Sequence, residues 1–124
     1  MHDVYFTPRE LDVMSVLWRD GSGTVAEVRE ALGEELAYTS VLSALQLLEQ
    51  KGSIRHEPEG RAYRYFPVVP PESAGKTALA RIRDAIFQGS AERMFAQFVA
   101  ADDLSKEELQ RMRQLLSHRL REEP

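Results

Sequence analysis

The helical period of apolar residues is clearest in the range 36–52. Apolar side chains recur there at i, i+4 and i+7 spacing, with one more beside them, and predict one buried helix face. They are Val41, Ala44, Leu45 and Leu48. The opposite face has short hydroxyl and amide side chains and no charge. It consists of Thr39, Ser40, Ser43 and Gln46. Gly52 predicts the end of the helix, since glycine readily adopts the left-handed conformation.

The uncharged outer face of this helix has two interpretations. Short polar side chains let a helix approach another surface closely and still offer hydrogen bonds. The major groove of DNA admits such a helix, especially one that follows two shorter helices and precedes a hairpin. The other interpretation is a surface helix that happens to lack charge. The stretch taken alone leaves both open.

Two further helices are predicted before this one. Thr7, Pro8 and Glu10 form a helix start, with a capping box and a proline at the first helical position. An apolar stripe follows, formed by Leu11, Met14, Leu17 and Trp18. We interpret Trp18 as a core anchor. Thr24 and Glu27 form a second capping box, which starts a short helix that ends at Gly33. Its inward side chains are Val25, Val28 and Leu32.

After Gly52 the period changes to two, which predicts a β-hairpin. The ranges 54–57 and 61–66 flank the turn Pro58-Glu59-Gly60. Three helices followed by a two-stranded wing is the order of a winged helix-turn-helix domain. Arg61 lies at the predicted wing tip, where no core needs it. We interpret it as a phosphate or minor-groove contact, and the alternative is a solvated loop charge.

The proline-rich stretch 67–71 predicts the boundary between two parts of a mainly α chain. We predict a winged helix-turn-helix domain at 1–69 and a helical region at 70–124, with helices over 72–87, from Ser90 onward, and over 104–120. So many apolar side chains in about 54 residues can hardly be buried within that region alone. We therefore interpret it as a dimerisation region; the alternative packs its helices on the N-terminal domain of a monomer. The predicted dimer residues are Leu79, Ile82, Ile86, Phe87, Phe95, Phe98, Leu109, Met112 and Leu116.

Composition and charge narrow the function classes. The 124 residues suit one domain or a small domain with an appendage, and cysteine is absent, which excludes disulfides and thiolate sites. The net charge of −4, with 7 Lys/Arg against 11 Asp/Glu in residues 1–70, argues against a broad basic footprint for DNA. Within residues 36–66 the net charge is positive, with four basic residues against three acidic ones. Neither a signal peptide nor a spanning segment is visible, so we expect a cytoplasmic chain without membrane insertion.

Catalytic and metal chemistry find little support. His118 and Glu122 have helical ligand spacing but are more typical of a solvated helix face. Asp102 and Asp103 precede a helix, where the dipole favours acids. We therefore expect no enzyme activity, no metal and no cofactor.

Five stretches, in order from residue 7 to residue 90, resemble the penicillinase repressor family of bacterial transcription factors, the BlaI/MecI group. Each stretch is a weak match alone, and together they are specific. They are 7–18 (TPRELDVMSVLW), 24–28 (TVAEV), 37–52 (AYTSVLSALQLLEQKG), 60–65 (GRAYRY) and 87–90 (FQGS).

The resemblance implies a homodimeric winged-helix repressor that binds a palindromic DNA operator, without catalysis. It also implies release by cleavage in the dimerisation region, downstream of a membrane-bound metalloprotease. The family's cut lies between asparagine and phenylalanine, and the matching pair here is Gln97-Phe98. Leu47 departs from the arginine that many relatives carry. The cysteines of a related copper-responsive branch have no counterpart.

We expect these residues to contact DNA as follows. The major-groove set is Tyr38, Thr39, Ser40 and Ser43, joined by Gln46. Arg61 reaches phosphate or minor groove, and the amide at Thr24 binds a phosphate at a helix N-terminus. Two alternatives stay open. One is a winged-helix protein-interaction module without DNA binding; the other is a ligand sensor with a pocket among Phe87, Phe95 and Phe98.

Overall fold

A computed structural model describes residues 5–33, 35–101 and 103–122. Six helices and three strands occur in these ranges. They are α1 (Pro8–Asp20), β1 (Gly23–Thr24), α2 (Val25–Leu32), α3 (Tyr38–Gln50), β2 (Ile54–Glu59), β3 (Ala62–Pro67), α4 (Pro71–Ala85), α5 (Ala91–Val99) and α6 (Lys106–Glu122). The predicted order of three helices, a hairpin and a helical region is confirmed.

Both predicted capping boxes of the N-terminal helices are present. The Glu10 amide donates to Thr7 Oγ1 at 3.2 Å, and the Thr7 amide donates to the Glu10 carboxylate at 2.9 Å. Thr24 and Glu27 repeat this exchange at the start of α2. Each box satisfies amides that a helix start leaves without an intrahelical acceptor, which fixes where α1 and α2 begin.

The end of α3 is fixed by the backbone. Gly52 has φ +81°, and its amide donates to the Glu49 carbonyl at 3.0 Å. The Ser53 amide donates to the Leu48 carbonyl at 3.0 Å. This pair of bonds is the Schellman arrangement, which needs a left-handed residue at the position of Gly52. The chain then turns directly from α3 into β2.

The three N-terminal helices and the sheet enclose one core. Its fully buried side chains come from α1, α2 and α3, and the sheet adds Ile54 and Tyr65. Trp18 packs against this core half-buried, and its Nε1 donates to the Val69 carbonyl at 2.8 Å. The predicted core role of Trp18 is therefore confirmed, and its hydrogen bond also holds the segment between β3 and α4.

The sheet differs from the predicted two-stranded wing in two ways. β1 adds a third strand, so the antiparallel order is β1-β3-β2. The predicted turn at Pro58-Glu59-Gly60 is wrong by two residues: Glu59 pairs with Ala62, and the loop is Gly60 and Arg61. Pro58 is tolerated inside β2 because β2 is an edge strand. Gly60 has φ +62°, as the first loop position of a type II′ hairpin requires.

The chain divides into two compact units, Met1–Leu79 and Ala80–Pro124. The boundary predicted between residues 69 and 70 lies before this division of the chain. Pro71 starts α4, as a proline at the first helical position can, and the buried Ala74 on the first turns of this helix belongs to the first unit. The prediction that the helix continues to Phe87 is wrong: it ends at Ala85, and Gln88 has φ 52° ahead of Gly89.

The second unit consists of the end of α4 with α5 and α6. Ser90 caps α5 through a 3.0 Å bond from the Arg93 amide, as predicted. The predicted capping box of α6 is also present, between Ser105 and Glu108. The helix itself begins at Lys106 and not at Leu104. Neither α5 nor α6 buries a residue among those described. No helix in the described ranges is long and apolar enough to cross a membrane.

Candidate nucleic-acid interface

The exposed side of α3 is the polar face that the sequence predicts. Thr39, Ser40, Ser43 and Gln46 are all exposed, and the face opposite them is buried in the core. Tyr38 begins the helix and is about half exposed. Ala37 is the N-cap of this helix and makes no side-chain hydrogen bond to its first turn.

Two open grooves flank α3. On one side α3 faces α1, and the groove is lined by Thr39, Ser40, Ser43 and Leu47 together with Arg9. On the other side it faces the start of α2 and the wing, and the lining includes Thr24, Tyr38, Gln46 and Arg61. The exposed side of α3, from Tyr38 to Leu47, forms a ridge between the two grooves. All seven predicted DNA contacts line these grooves, three in the first and four in the second.

Arg61 is exposed at the wing tip, and it differs from the other basic side chains of the first unit up to residue 70. It has no ion pair or hydrogen bond with any residue that the structure describes. Lys51 binds Glu10, and Arg55 pairs with Glu57 while its guanidinium lies 4.4 Å from the Phe66 ring centroid. The remaining arginines of this part also have polar partners. Arg61 thus offers its charge to a ligand without breaking an internal contact.

Arg64, on β3, is held by internal partners, unlike Arg61 in the loop. Its guanidinium binds Glu59 at 2.8 Å and Glu27 at 3.0 Å, and donates to Ser22 Oγ at 3.1 Å. Hydrogen bonds to Glu59 and then Glu27 raise the pKa of Arg64 above its usual range. The same bonds lower the pKa of both carboxyl groups. Arg64 therefore ties the wing to the start of α2 and is not a free cation for DNA.

The amide of Thr24 is already engaged. It donates to Glu27 Oε1 at 3.2 Å, and the same oxygen accepts from Arg64. A phosphate would bind this amide only by displacing a carboxylate. The capping box that locates Thr24 in the sequence is thus the reason why its amide is not open.

A contact between α3 and the wing has no counterpart in the sequence reasoning. His56 Nδ1 lies 2.6 Å from Glu49 Oε2, so the end of α3 is joined to β2. The His56 ring lies 4.3 Å, centroid to centroid, from that of Tyr63, which lines the same groove as Arg61. Strand period alone places His56 on a face, but it gives no partner on α3. The contact holds the wing beside the exposed ridge.

The predicted dimerisation residues lie mostly at the surface. Ile86 is 62% exposed and Phe98 is 55% exposed. The others range from half-buried to exposed: Leu79, Ile82, Phe87, Phe95, Leu109, Met112 and Leu116. Gln97 and Phe98, the predicted cleavage pair, are exposed in the last turn of α5. Among described residues no group of three or more His, Asp or Glu side chains is placed to hold a metal.

The penicillinase repressor family model matches residues 6–118, which is most of the chain. The chain belongs to the penicillinase repressor family. It is 28% identical over 109 residues to the penicillinase repressor of Bacillus licheniformis, covering 86% of this chain and 85% of that protein. It is 38% identical over 101 residues to the transcriptional regulator BlaI of Mycobacterium tuberculosis, covering 76% and 73%.

A solved structure of this family gives the same fold. The DNA-binding domain of the repressor BlaI superposes with a TM-score of 0.52 and 27% sequence identity. It covers 58% of this chain and 90% of the BlaI domain. The match confirms the winged helix-turn-helix fold that the sequence predicts.

Proposed function

We propose that this penicillinase-repressor family member is a DNA-binding transcriptional repressor that acts as a homodimer on a palindromic operator. The observation that carries the proposal is the ridge of α3. It is exposed, hydroxyl-rich and uncharged, and an unpaired Arg61 stands beside it on the wing. Such a helix fits the major groove, and an arginine on a flanking loop suits phosphate or minor groove.

The distribution of charge fits a protein that recognises DNA mainly through base contacts and makes few phosphate contacts. Most cations of the first unit are held by internal partners, so Arg61 supplies the main free charge near the ridge. Tyr38, Thr39, Ser40, Ser43 and Gln46 offer hydroxyl and amide groups to base edges. We expect weak binding to unrelated duplexes, because nonspecific affinity depends on the number of neutralised phosphates.

Dimerisation would bury the apolar surface of the second unit. Isolated exposed leucines are ordinary, but here apolar side chains recur along all of its helices. A second copy related by a two-fold axis would cover them and carry a second α3 to the other half-site. Half-sites one helical turn apart are separated by roughly 34 Å.

We further propose that the repressor acts in the cytoplasm and is released by cleavage between Gln97 and Phe98, downstream of a membrane metalloprotease system. Both residues are exposed in the single chain, and the place of the pair in the last turn of α5 requires only local unwinding. Glutamine stands where the family has asparagine, so the protease must accept it. Mass spectrometry of the chain from induced cells tests this: a fragment ending at Gln97 supports cleavage, and an intact chain under derepression contradicts it.

Selection of duplexes from a random pool, followed by anisotropy titration at two salt concentrations, tests DNA binding. We expect enrichment of a palindrome, with affinity that falls as salt rises. The acidic balance of the first unit favours a second candidate, a protein-interaction module with the same fold. If the folded, dimeric protein enriches no duplex at low salt, DNA binding is wrong and that candidate takes its place.

A further inference from the structure

Leu47 is an aliphatic side chain on the polar ridge of α3. At about 100° per residue, it projects between Ser43 and Ser40 on the outer arc of the helix. It is 51% exposed, whereas Leu45 and Leu48 on the opposite side are fully buried. The other exposed residues of α3, which is described throughout, are hydroxyl, phenol or amide side chains.

Internal packing does not account for this position. Leu47 is outside the core cluster and outside the set of half-buried side chains packed against it. It lines the open groove between α1 and α3 together with Ser40, Ser43 and Arg9. Arg9 directs its guanidinium to Asp12 on its own helix, at 3.7 Å. The Leu47 side chain is therefore left facing outward among groups that offer hydrogen bonds.

We propose that Leu47 determines base specificity by contacting the C5 methyl group of a thymine in the major groove. This inference rests on the DNA-binding function proposed above. The thymine methyl is the apolar feature of the major groove, and it distinguishes T·A from the other base pairs there. A leucine cannot bind phosphate, because it has no donor, and placing it against phosphate would desolvate the charge without compensation.

The position of this thymine follows from helix geometry. Leu47 is eight residues from Thr39, which is about 12 Å along α3 at 1.5 Å per residue. Base pairs are stacked about 3.4 Å apart. Because 12 Å along α3 spans at most about four base pairs, whatever the inclination of the helix in the groove, the thymine should lie within about four base pairs of the base nearest Thr39, once in each half-site.

Deoxyuridine substitution tests the contact, since it removes the C5 methyl group and nothing else. Each thymine of the selected operator is replaced in turn, and binding is measured for wild type and Leu47→Ala. We expect one position per half-site to weaken wild-type binding by about fourfold, the value of one buried methylene-sized group. With Leu47→Ala, the same replacement should have no further effect, because the two changes remove one contact.

Gln50→Ala is the matched control, an exposed truncation at the end of α3 and outside the predicted DNA-contact set. It should keep the full deoxyuridine effect at that position. Thermal unfolding confirms that both variants are folded. If an operator is bound but no deoxyuridine position is coupled to Leu47, the inference about Leu47 is wrong and the proposed DNA-binding function is kept. If no duplex is enriched at all, both are wrong.

Discussion

Lys51 Nζ lies 2.7 Å from Glu10 Oε1 and joins the end of α3 to the start of α1. Glu10 is only 4% exposed, and it also accepts a hydrogen bond from the Thr7 amide. One carboxylate therefore completes the cap of α1 and anchors the C-terminal end of α3. This contact holds α3 against α1, and Glu10 also lines the groove between the two helices.

Lys51→Met should lower the free energy of unfolding by about 1–2 kcal/mol, because a buried carboxylate loses one of its two partners. Lys51 is partly exposed, and water will replace some of the lost contact, which keeps the value below that for a fully buried pair. Urea unfolding measures the change. Lys76→Met is the matched control, since Lys76 is exposed and has no ion pair among the described residues. Equal effects of the two substitutions would contradict the role of Lys51.

The decrease in the free energy of unfolding at acid pH should depend on Glu10. Burial raises the pKa of its carboxyl group, but hydrogen bonds from Lys51 and Thr7 outweigh this and lower the pKa below its usual range. A carboxyl group whose folded pKa is lowered stabilises the protein above its unfolded pKa, and this stability is lost as pH falls through the folded pKa. Other carboxylates also contribute to the loss of stability at acid pH. The measured quantity is therefore the difference in unfolding free energy between wild type and Glu10→Gln.

That difference in unfolding free energy should be constant at neutral pH and shrink as pH falls below about 4.5. Denaturant titrations at several pH values measure it. Glu30→Gln is the control, at an exposed acid of α2 that has no ion pair among the described residues, and it should lower the free energy of unfolding at neutral pH less than Glu10→Gln does. A difference that grows on acidification would contradict the lowered pKa of Glu10.

Helix starts were predictable because they depend on residues three apart. Thr7 with Glu10 and Thr24 with Glu27 are local patterns, and each cap lies where the sequence places it. The buried face of α3 was predictable for the same reason, since period alone defines it. The wing was predicted as a hairpin, but a proline inside an edge strand resembles a turn, and this displaced the loop from Gly60 and Arg61.

Contacts between distant residues were not predictable. β1 has two residues, too few to show a period, and it exists because Gly23 and Thr24 pair with β3. The bond from Lys51 to Glu10 and the contact of His56 with Glu49 depend on how helices and wing pack. The predicted DNA-contact residues lie on the ridge and the wing. The engagement of the Thr24 amide by Glu27 follows from the local capping box, whereas the ion pair of Glu27 with Arg64 depends on the fold.

Arg61→Ala should weaken binding to all duplexes alike, because we assign Arg61 to phosphate or the minor groove and not to a major-groove base edge. The slope of log affinity against log salt should decrease by about one. Anisotropy titrations on the selected operator and on an unrelated duplex measure both effects. Arg55→Ala is the control: this wing arginine is already engaged by Glu57 and Phe66, so its loss should change the slope less. A change of base preference in Arg61→Ala would contradict the assigned role.

Phe98→Glu should convert the dimer to a monomer, because it places a charge in the apolar surface that we expect the second copy to cover. Phe98 is 55% exposed in the single chain, so the substitution has little reason to disturb the fold of one copy. Sedimentation should then give the 14.1 kDa mass of one chain. Operator affinity should fall by about a hundredfold or more, since the second half-site no longer binds intramolecularly.

Gln97→Glu is the matched control, because it adds the same charge at the neighbouring exposed position. It should remain a dimer with wild-type affinity for the operator. If Phe98→Glu stays dimeric, the dimer uses a surface other than this face of α5. If it is monomeric and still binds the palindrome with wild-type affinity, a single winged helix is sufficient for recognition, and the two-fold arrangement of half-sites has no role in binding.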